Sequence, residues 1–387
     1  MSALRVFAVV LRCGVGQAAL AAPTACVAPA APAAEAGAVM QANARLLAGL
    51  SPGGVHGREI SGLPFWAAHA AAMDAAWVAT SKRQLDVWRA FSEREIGALE
   101  ASRGALYYPF SGPDFMYAHT MFPKARRYLL VGLEEPGTEP LWSSMDEGQA
   151  AASFAQMRQS TATLMRYSFF RTHGMQNDLR RGKLTGVAPV LMAMAARIGF
   201  DVRALDQVHL DDAGALCLGP AGPGGISGVR LVLAEAGTAQ TRDLVYLRAD
   251  LSDPALARTP QLALYVKSLG PGPVFLKAAS YLMHRPQFSG ARDLVLERAR
   301  LILQDDSGIP FEAYSPTRWN GRLYGSYTKP IAIFKDRKQP SLREAYARSA
   351  KPLHTGIGYS HRSGTSNLQL FEKRTATLSM RCTGVDS

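Results

Sequence analysis

The chain has 387 residues, of which 48% are hydrophobic and 19% are charged. This balance excludes an intrinsically disordered chain, which has too few apolar residues to form a core, and a chain embedded in a membrane throughout. The formal net charge is +12 at pH 7. Residues 311–387 contain 13 Lys and Arg against 5 Asp and Glu. We expect this basic part to be a solvated face or to meet an anionic envelope surface, such as lipid headgroups or acidic glycans, rather than nucleic acid.

Residues 1–36 have the composition of a secretory leader. Arg5 precedes a short apolar stretch, and Ala and Pro dominate from residue 18 onwards, as is typical before a signal-peptide cleavage point. The apolar stretch is far shorter than the roughly 20 residues needed to cross a bilayer, so we expect no transmembrane span. The sequence therefore predicts an exported, periplasmic protein. A mis-assigned start followed by a disordered Ala/Pro arm is the alternative.

The leader leaves two processing routes open, and the cysteines bear on both. The small residues from Ala33 to Ala36 suit a signal peptidase, whereas Cys26 could be the lipidated first residue of a lipoprotein. Beyond the leader only Cys217 and Cys382 remain. They could pair with each other in an oxidising compartment, or they could be two unrelated buried thiols.

Hydrophobic periodicity predicts the elements in chain order. Residues 37–103 are predicted to be helical, with one helix at 39–50 and another that begins at Pro64, where a missing N–H does no harm. Further predicted helices lie at 148–171, 186–198, 291–303 and 341–349. Predicted strands lie at 128–133, 229–233, 244–247, 321–327, 330–334, 356–361 and 366–372.

The order of these elements favours an α+β fold over a doubly wound sheet, because helices precede and follow strands that look antiparallel. We expect a helical N-terminal part packed on a mixed or antiparallel sheet with further helices. The expected organisation is a leader with an Ala/Pro-rich segment at 1–36, a helical part at 37–103 and an α+β domain at 104–387.

Common catalytic motifs are missing from the sequence: Gly-x-Ser-x-Gly, His-Glu-x-x-His, a Walker loop and Cys-x-x-Cys do not occur. The acidic turn that begins with Asp305 and Asp306 directly follows the predicted helix 291–303. Carboxylates are unfavourable at a helix C-terminus, so this placement predicts a compensating basic side chain or a hard cation such as calcium; no other cofactor is expected. The two acids could instead differ in pKa and act as general acid and base, or be ordinary turn residues.

The Pro- and Gly-rich loop at 108–114 gathers aromatic and polar side chains. Tyr108 and Phe110 could form the wall of a ligand cleft, with Ser111 and Asp114 as polar contacts. His119 follows closely and could assist acid–base chemistry. The alternative is a plain turn, because Ser-Gly-Pro-Asp is a turn sequence.

A third candidate segment runs from Lys277 to His284. Lys277 is a candidate ligand-binding residue, and His284 is a candidate catalytic residue. A histidine without a metal partner at a spacing of four residues is more often structural, which is the alternative here.

Several segments of the chain look similar to segments found in another group of proteins. They are Tyr-Pro-Phe-Ser-Gly-Pro-Asp (108–114), Leu-Lys-Ala-Ala-Ser-Tyr-Leu-Met-His (276–284), Leu-Gln-Asp-Asp-Ser-Gly-Ile-Pro (303–310), Leu-Tyr-Gly-Ser-Tyr (323–327), Gly-Ile-Gly-Tyr (356–359) and Ser-Asn-Leu (366–368). In these segments the chain resembles a group of uncharacterised exported bacterial proteins, from about residue 105 to residue 372. The resemblance implies no activity, but it makes Asp305, Asp306 and His284 the first positions to test.

Two functions are compatible with the sequence. The first, which we favour, is an exported protein that binds a small molecule or a glycan in a groove lined by Tyr108, Phe110 and the residues around Asp305. The second is a hydrolase of an envelope or extracellular polymer, with Asp305 or Asp306 as acid and base and a histidine assisting. A calcium site that only stabilises the fold lies between the two.

Overall fold

The computed structural model describes residues 26–28, 34–53, 57–167, 183–235, 237–238, 240–360 and 364–375. Within this part of the chain, ten strands form one mixed sheet that carries helices on both faces, so the predicted α+β fold is confirmed. The strands are β1 (Ala105–Tyr108), β2 (Arg127–Gly132), β3 (Phe200–Leu210), β4 (Leu216–Leu218), β5 (Ser227–Glu235), β6 (Thr241–Arg248), β7 (Gly272–Leu276), β8 (Ala299–Gln304), β9 (Trp319–Gly325) and β10 (Asn367–Lys373).

The α-helices of the same residues lie before, between and after these strands. They are α1 (Ala34–Leu47), α2 (Arg58–Ser61), α3 (Pro64–Thr80), α4 (Asp86–Glu95), α5 (Phe115–Met121), α6 (Glu147–Tyr167), α7 (Ala188–Arg197), α8 (Asp253–Arg258), α9 (Gln261–Ser268), α10 (Ser289–Arg298) and α11 (Pro340–Ser349). Pro64 occupies the first turn of α3, as predicted.

The centre of the sheet is parallel and its two edges are antiparallel. Across the sheet the strand order is β4-β3-β5-β6-β2-β1-β7-β8-β10-β9. The five neighbours β6, β2, β1, β7 and β8 are parallel to one another. The carboxyl ends of these five strands therefore meet at one edge of the sheet, where the loops that follow them lie side by side.

Alternating side chains of the strands enter two separate hydrophobic cores. In β1, Leu106 and Tyr108 belong to the core on face one of the sheet, and Tyr107 belongs to the core on face two. This alternation is the period of two expected for a strand buried on both faces. Helices α1, α5 and α7 contribute to the core on face one, and α9 and α10 contribute to the core on face two.

The helical N-terminal part shares the core on face one with the sheet. Met40 of α1, Met73 of α3 and Trp88 of α4 pack in that core together with strand residues. Helix α1 contacts α7 and β3, so it lies against the sheet layer instead of standing apart from it. None of the helices in the described residues has the length and apolar character needed to cross a membrane.

The path of the chain reverses direction next to β1. After β1 the chain passes through α5 on face one and adds β2 on one side. After β6 it passes through α8 and α9 towards face two and adds β7 on the other side of β1. The loops that follow β1 and β7 therefore diverge, which is the topological switch point where open α/β sheets form a crevice.

The predicted helix at 291–303 is wrong in its second half. Helix α10 ends at Arg298, and Ala299 begins strand β8. Leu301 and Leu303 enter the core on face one and Ile302 enters the core on face two, so a short apolar run that also fits helical spacing is in fact a buried strand. Asp305 and Asp306 consequently follow a strand, and the helix C-terminus invoked for them does not exist.

Other sequence predictions hold to different degrees. The strand predicted at 330–334 is wrong, because Ala332–Phe334 form a single 3₁₀ turn. At 356–361 the described residues form only an isolated bridge between Ile357 and Ser360. Helix α6 confirms the described part of the prediction for 148–171, and residues 168–171 lie outside the described part.

Cys217 forms a disulfide with Cys26, not with Cys382. Cys217 lies on the edge strand β4, and the amide of the next residue, Leu218, donates a hydrogen bond to the carbonyl of Val27 at 2.8 Å. The segment 26–28 thus runs beside the free edge of β4 and brings Cys26 to Cys217. Of the two alternatives left open for Cys217, neither a disulfide with Cys382 nor a free thiol is found, and Cys382 lies outside the described residues.

Candidate functional site

A cavity of about 240 Å³ opens at the carboxyl edge of the parallel strands. Its walls come from the loops that follow β1, β2, β6 and β7, together with Tyr359. The cavity lies at the switch point between β1 and β7, so the topology of the chain explains its position.

The five residues predicted to bind a ligand all line this cavity. Three of the segments singled out in the sequence, at 108–114, 276–284 and 356–359, meet there although they are far apart in the chain. The ligand-binding candidates that the fold brings together are Tyr108, Phe110, Ser111, Asp114 and Lys277.

A buried ion pair joins the two diverging loops. Lys277 Nζ lies 2.7 Å from Asp114 Oδ2, and both side chains are almost fully buried. The Tyr108 hydroxyl donates a hydrogen bond to the same oxygen at 2.7 Å. Lys277 Nζ also lies 4.0 Å from the centroid of the Tyr117 ring, a distance suited to a cation–π contact.

Burial shifts the pKa values of this pair in opposite directions. Desolvation lowers the pKa of Lys277, and the Asp114 carboxylate partly opposes this effect. Desolvation raises the pKa of Asp114, and Lys277 opposes it. A buried ion pair seldom adds net stability, because desolvation of two charges offsets their attraction. Perturbed titratable groups in a cleft are typical of functional sites.

The backbone of both loops is in a sparsely populated conformation. Four residues other than glycine have a positive φ in the described part of the chain, and all lie in the loops after β1 and β7: Phe110, Ala278, Ser280 and Tyr281. Such residues cost of order 1–3 kcal/mol each and persist only where neighbouring contacts hold them. Strain of this kind is commonly found at ligand-binding sites.

The acidic turn after β8 holds the strained loop after β7. Asp305 Oδ2 accepts a hydrogen bond from the amide of Ala278 at 2.9 Å. Ser307 accepts hydrogen bonds from two further amides of that loop, those of Ala279 and Tyr281. The turn therefore anchors the segment that carries Lys277 into the cavity.

Asp305 is a buried carboxylate with both oxygens occupied. Oδ1 accepts hydrogen bonds from the amide and the hydroxyl of Ser307, at 3.0 and 2.5 Å. Burial, and then the neighbouring Asp306, raise the pKa of Asp305 to about 7. Asp305 does not belong to the lining of the cavity.

Asp306 is held by a different set of donors. The Tyr281 hydroxyl donates to Oδ2, and Asn367 Nδ2 donates to Oδ1 at 2.9 Å. Burial raises the pKa of this carboxyl as well. Like Asp305, Asp306 does not line the cavity; its contacts join the loop after β7 to β10.

The surroundings of the two acids do not resemble a cation site. Hydrogen-bond donors point at their oxygens, whereas a calcium ion would need acceptor atoms arranged around it. In the described residues, the one group of three His, Cys, Asp or Glu ligand atoms close enough to share an ion is Cys26, Asp211 and Cys217, and its two sulfurs form the disulfide.

The fold does not bring His119 to the cavity. Its Nδ1 lies 2.8 Å from the Tyr128 hydroxyl, and its ring packs against Phe200 in the core on face one. Burial lowers the pKa of His119 to about 3, so the ring is neutral at physiological pH. It lines a separate cavity with Trp77 and Arg89.

His284 lies behind the loop after β7. Its ring centroid is 5.1 Å from that of Tyr281, and His284 does not line the cavity. Burial lowers the pKa of His284 to about 4. The position favours packing under the loop over direct contact with a ligand.

Four polar lining residues were not among the sequence candidates: Glu134, Asp250, Ser280 and Tyr359. Glu134 follows β2, Asp250 follows β6, and Tyr359 bonds the loop after β7 through Ser280 and the Ala278 carbonyl. The acids follow strands that the sequence predicted correctly, but their convergence depends on those strands being parallel neighbours of β1. Tyr359 lies in Gly-Ile-Gly-Tyr, a segment noted only for its resemblance.

Comparison of the chain with protein-family models, with curated proteins and with solved structures finds no match.

Replacement of Gly358 by Ala is expected to disrupt the anchoring of the loop. Gly358 has φ +61°, and a Cβ there would overlap Asp305 Oδ2. We expect the free energy of unfolding to fall by about 1–2 kcal/mol, because Ala adopts the left-handed conformation less readily than Gly does. Displacement of the hydrogen bonds to the Asp305 carboxylate should lower it by about 2 kcal/mol or more in addition. The matched control is Gly270→Ala, since Gly270 has φ +69° and no atom near its Cβ position. Chemical denaturation of both variants measures the difference; equal losses would show that Gly358 and Asp305 are not in close contact.

The raised pKa of Asp305 predicts how stability changes with pH. Between its ordinary value of 3.8 and about 7, the folded chain binds this proton more strongly than the unfolded chain does. The contribution of Asp305 to stability should therefore fall as pH rises through this interval, by an amount on the order of 4 kcal/mol. In Asp305→Asn this decline should be missing, whereas the exposed control Asp212→Asn should follow the wild type. Unfolding free energies at several pH values measure both; parallel curves for Asp305→Asn and wild type would contradict the prediction.

Proposed function

We propose that this chain is a binding protein for a small polar molecule, which occupies the cavity between the loops after β1 and β7. The observation that carries the proposal is the buried Lys277–Asp114 pair, with Tyr108, set in the wall of a cavity at the switch point of the sheet. An aromatic and aliphatic wall with a few fixed polar groups is the usual composition of a small-molecule site. The volume suits a molecule of the size of an amino acid or a monosaccharide.

Ligand binding explains why the loops are built as they are. Strained residues lower the stability of the fold, and a desolvated ion pair adds little to it. Stability alone therefore does not explain why the loops contain them. In a binding site the same features fix polar groups in advance, which reduces the entropy lost when a ligand is bound.

The hydrolase alternative has less support. Its proposed acid and base, Asp305 and Asp306, lie outside the cavity lining, and their oxygens already accept hydrogen bonds from the chain. Their contacts favour a positioning role for the loop after β7.

The binding proposal predicts a compound that stabilises the chain and competes with a filled cavity. We expect at least one member of a set of amines, sugars, amino acids and dicarboxylates to raise the unfolding free energy, by about 2.7 kcal/mol at a hundredfold excess over Kd. Ala249 lines the cavity, so Ala249→Leu should abolish the shift by filling the space. Thermal unfolding with each compound measures the effect.

The matched control for this experiment is Ala332→Leu, which adds the same side-chain volume at an exposed position outside the cavity. It should keep the wild-type response. If no compound stabilises the wild type, or if stabilisation survives in Ala249→Leu, the cavity is not the binding site.

Export is the second part of the proposal, and the Cys26–Cys217 disulfide supports it. Disulfides persist in oxidising compartments such as the periplasm and are rare in the cytosol. The same bond bears on processing: a cut at 33–36 would remove Cys26, and a lipid thioether would occupy its sulfur. We therefore propose that the leader is cleaved before Cys26 and that Cys26 is not lipidated.

Peptide mapping of the chain recovered from a bacterial periplasm tests this. We expect a mature N-terminus at or before Cys26, and, without reduction, a peptide that joins Cys26 to Cys217. In the control variant Cys217→Ser, Cys26 should react with a thiol reagent. A mature N-terminus beyond Cys26, a lipid on Cys26, or a chain retained in the cytosol would each contradict the proposal.

A further inference from the structure

We infer that the cavity selects a small molecule with a positively charged amine, because three carboxylate residues line it and its one lysine is already paired. This inference rests on the proposed function and adds the chemical class of the ligand. The three acids are Asp114, Glu134 and Asp250, each on a loop after a different parallel strand.

Asp114 supplies a buried acceptor without a partner. Its Oδ2 accepts a hydrogen bond from the Tyr108 hydroxyl and pairs with Lys277 Nζ. Its Oδ1 is buried and has no hydrogen-bond partner in the described part of the chain. The amide of Tyr117 in the first turn of α5 lies near this carboxylate but makes no regular capping hydrogen bond to it. This oxygen has almost no accessible surface, so Asp114 serves as the counter-charge of Lys277 and does not itself contact the ligand.

Glu134 also has one carboxylate oxygen that accepts hydrogen bonds from the described residues and one that accepts none. Its Oε2 accepts hydrogen bonds from the amide of Leu133 and from the Tyr246 hydroxyl, each at 3.1 Å. Its Oε1 accepts none from the residues that the structure describes, and Glu134 has no ion pair with them. Glu134 is 3% exposed and lines the cavity.

Asp250 places a third carboxylate at the rim. Its Oδ1 accepts the amide of Ser252 at 2.9 Å, which leaves Oδ2 for a ligand. Oxygens of the three acids do not come close enough together to form a metal cluster among the described residues. The ligand that matches them is therefore a molecule with separated donors, and not a single ion.

The lining contains more acidic than basic side chains, although the whole chain is basic. Lys277 is the one cationic residue of the described lining, and its charge is matched by Asp114 at 2.7 Å. Glu134 and Asp250 are left without a counter-charge there. Most of the net charge of +12 lies in residues 311–387, and it is screened within about 8–10 Å at physiological salt, whereas Glu134 and Asp250 would contact a ligand directly.

The remaining walls suit the hydrocarbon part of an alkyl amine. Phe110 and Phe288 form an edge-to-face pair with centroids 6.0 Å apart, and both line the cavity. Aromatic faces attract cations and pack against methylene groups. The carboxylates thus match the amine of such a ligand, and the aromatic walls match its apolar chain.

Three compounds with the same four-carbon chain test the inference: putrescine, 1,4-butanediol and succinate. Isothermal titration and thermal unfolding of the purified chain should show that putrescine binds at least about tenfold more tightly than butanediol, with no binding of succinate. Glu134→Gln should weaken putrescine about tenfold, and added salt should weaken it further. The matched control is Glu135→Gln, since the neighbouring Glu135 pairs with Arg248 and does not line the cavity; it should bind as the wild type does.

The outcomes separate this inference from the proposed function. If butanediol or succinate binds as well as putrescine and Ala249→Leu abolishes that binding, the cavity is a binding site but does not select amines. If putrescine fails to bind at millimolar concentration while another compound class binds in the cavity, the inference is overturned and the binding function stands. If Glu134→Gln and Glu135→Gln weaken putrescine equally, the amine binds elsewhere on the surface.

Discussion

The ion pair between Lys277 and Asp114 is the interaction on which the site depends. The two residues lie on loops that leave the sheet in opposite directions, one after β7 and one after β1. A 2.7 Å contact between them spans the crevice that this divergence opens, and Tyr108 shares the same oxygen. Since both charges are desolvated, the pair is stable only while the loops hold their geometry.

That geometry is supported from the neighbouring strand. Asp305 and Ser307, just beyond β8, accept hydrogen bonds from amides of the loop after β7. Asp306 accepts a hydrogen bond from the Tyr281 hydroxyl of the same loop. The close approach of Gly358 leaves no space around Asp305 for a side chain at that position. The acidic turn, which the sequence suggested as a catalytic or metal site, is better understood as the support for a strained loop.

Much of the site was accessible from the sequence, because its loops have unusual local composition. The segment at 108–114 is rich in Pro, Gly and aromatic residues, and all four candidates within it line the cavity. His119 is close to the loop in sequence but does not line the cavity, because its ring packs against Phe200 and bonds the Tyr128 hydroxyl. Residues 299–303 were wrongly predicted to be the end of a helix, because a short apolar run that is buried on both faces of a sheet also fits helical spacing.

The sequence by itself determined the fold class, most helices and the candidate ligand-binding residues, since these follow from local periodicity and turn composition. Only the tertiary structure decided that β6, β2, β1, β7 and β8 are parallel neighbours, and hence that Glu134, Asp250 and Lys277 surround one cavity. It also decided that Cys26, and not Cys382, pairs with Cys217. Strand neighbours and disulfide partners depend on contacts between residues far apart in the chain, and local sequence patterns contain no record of such contacts.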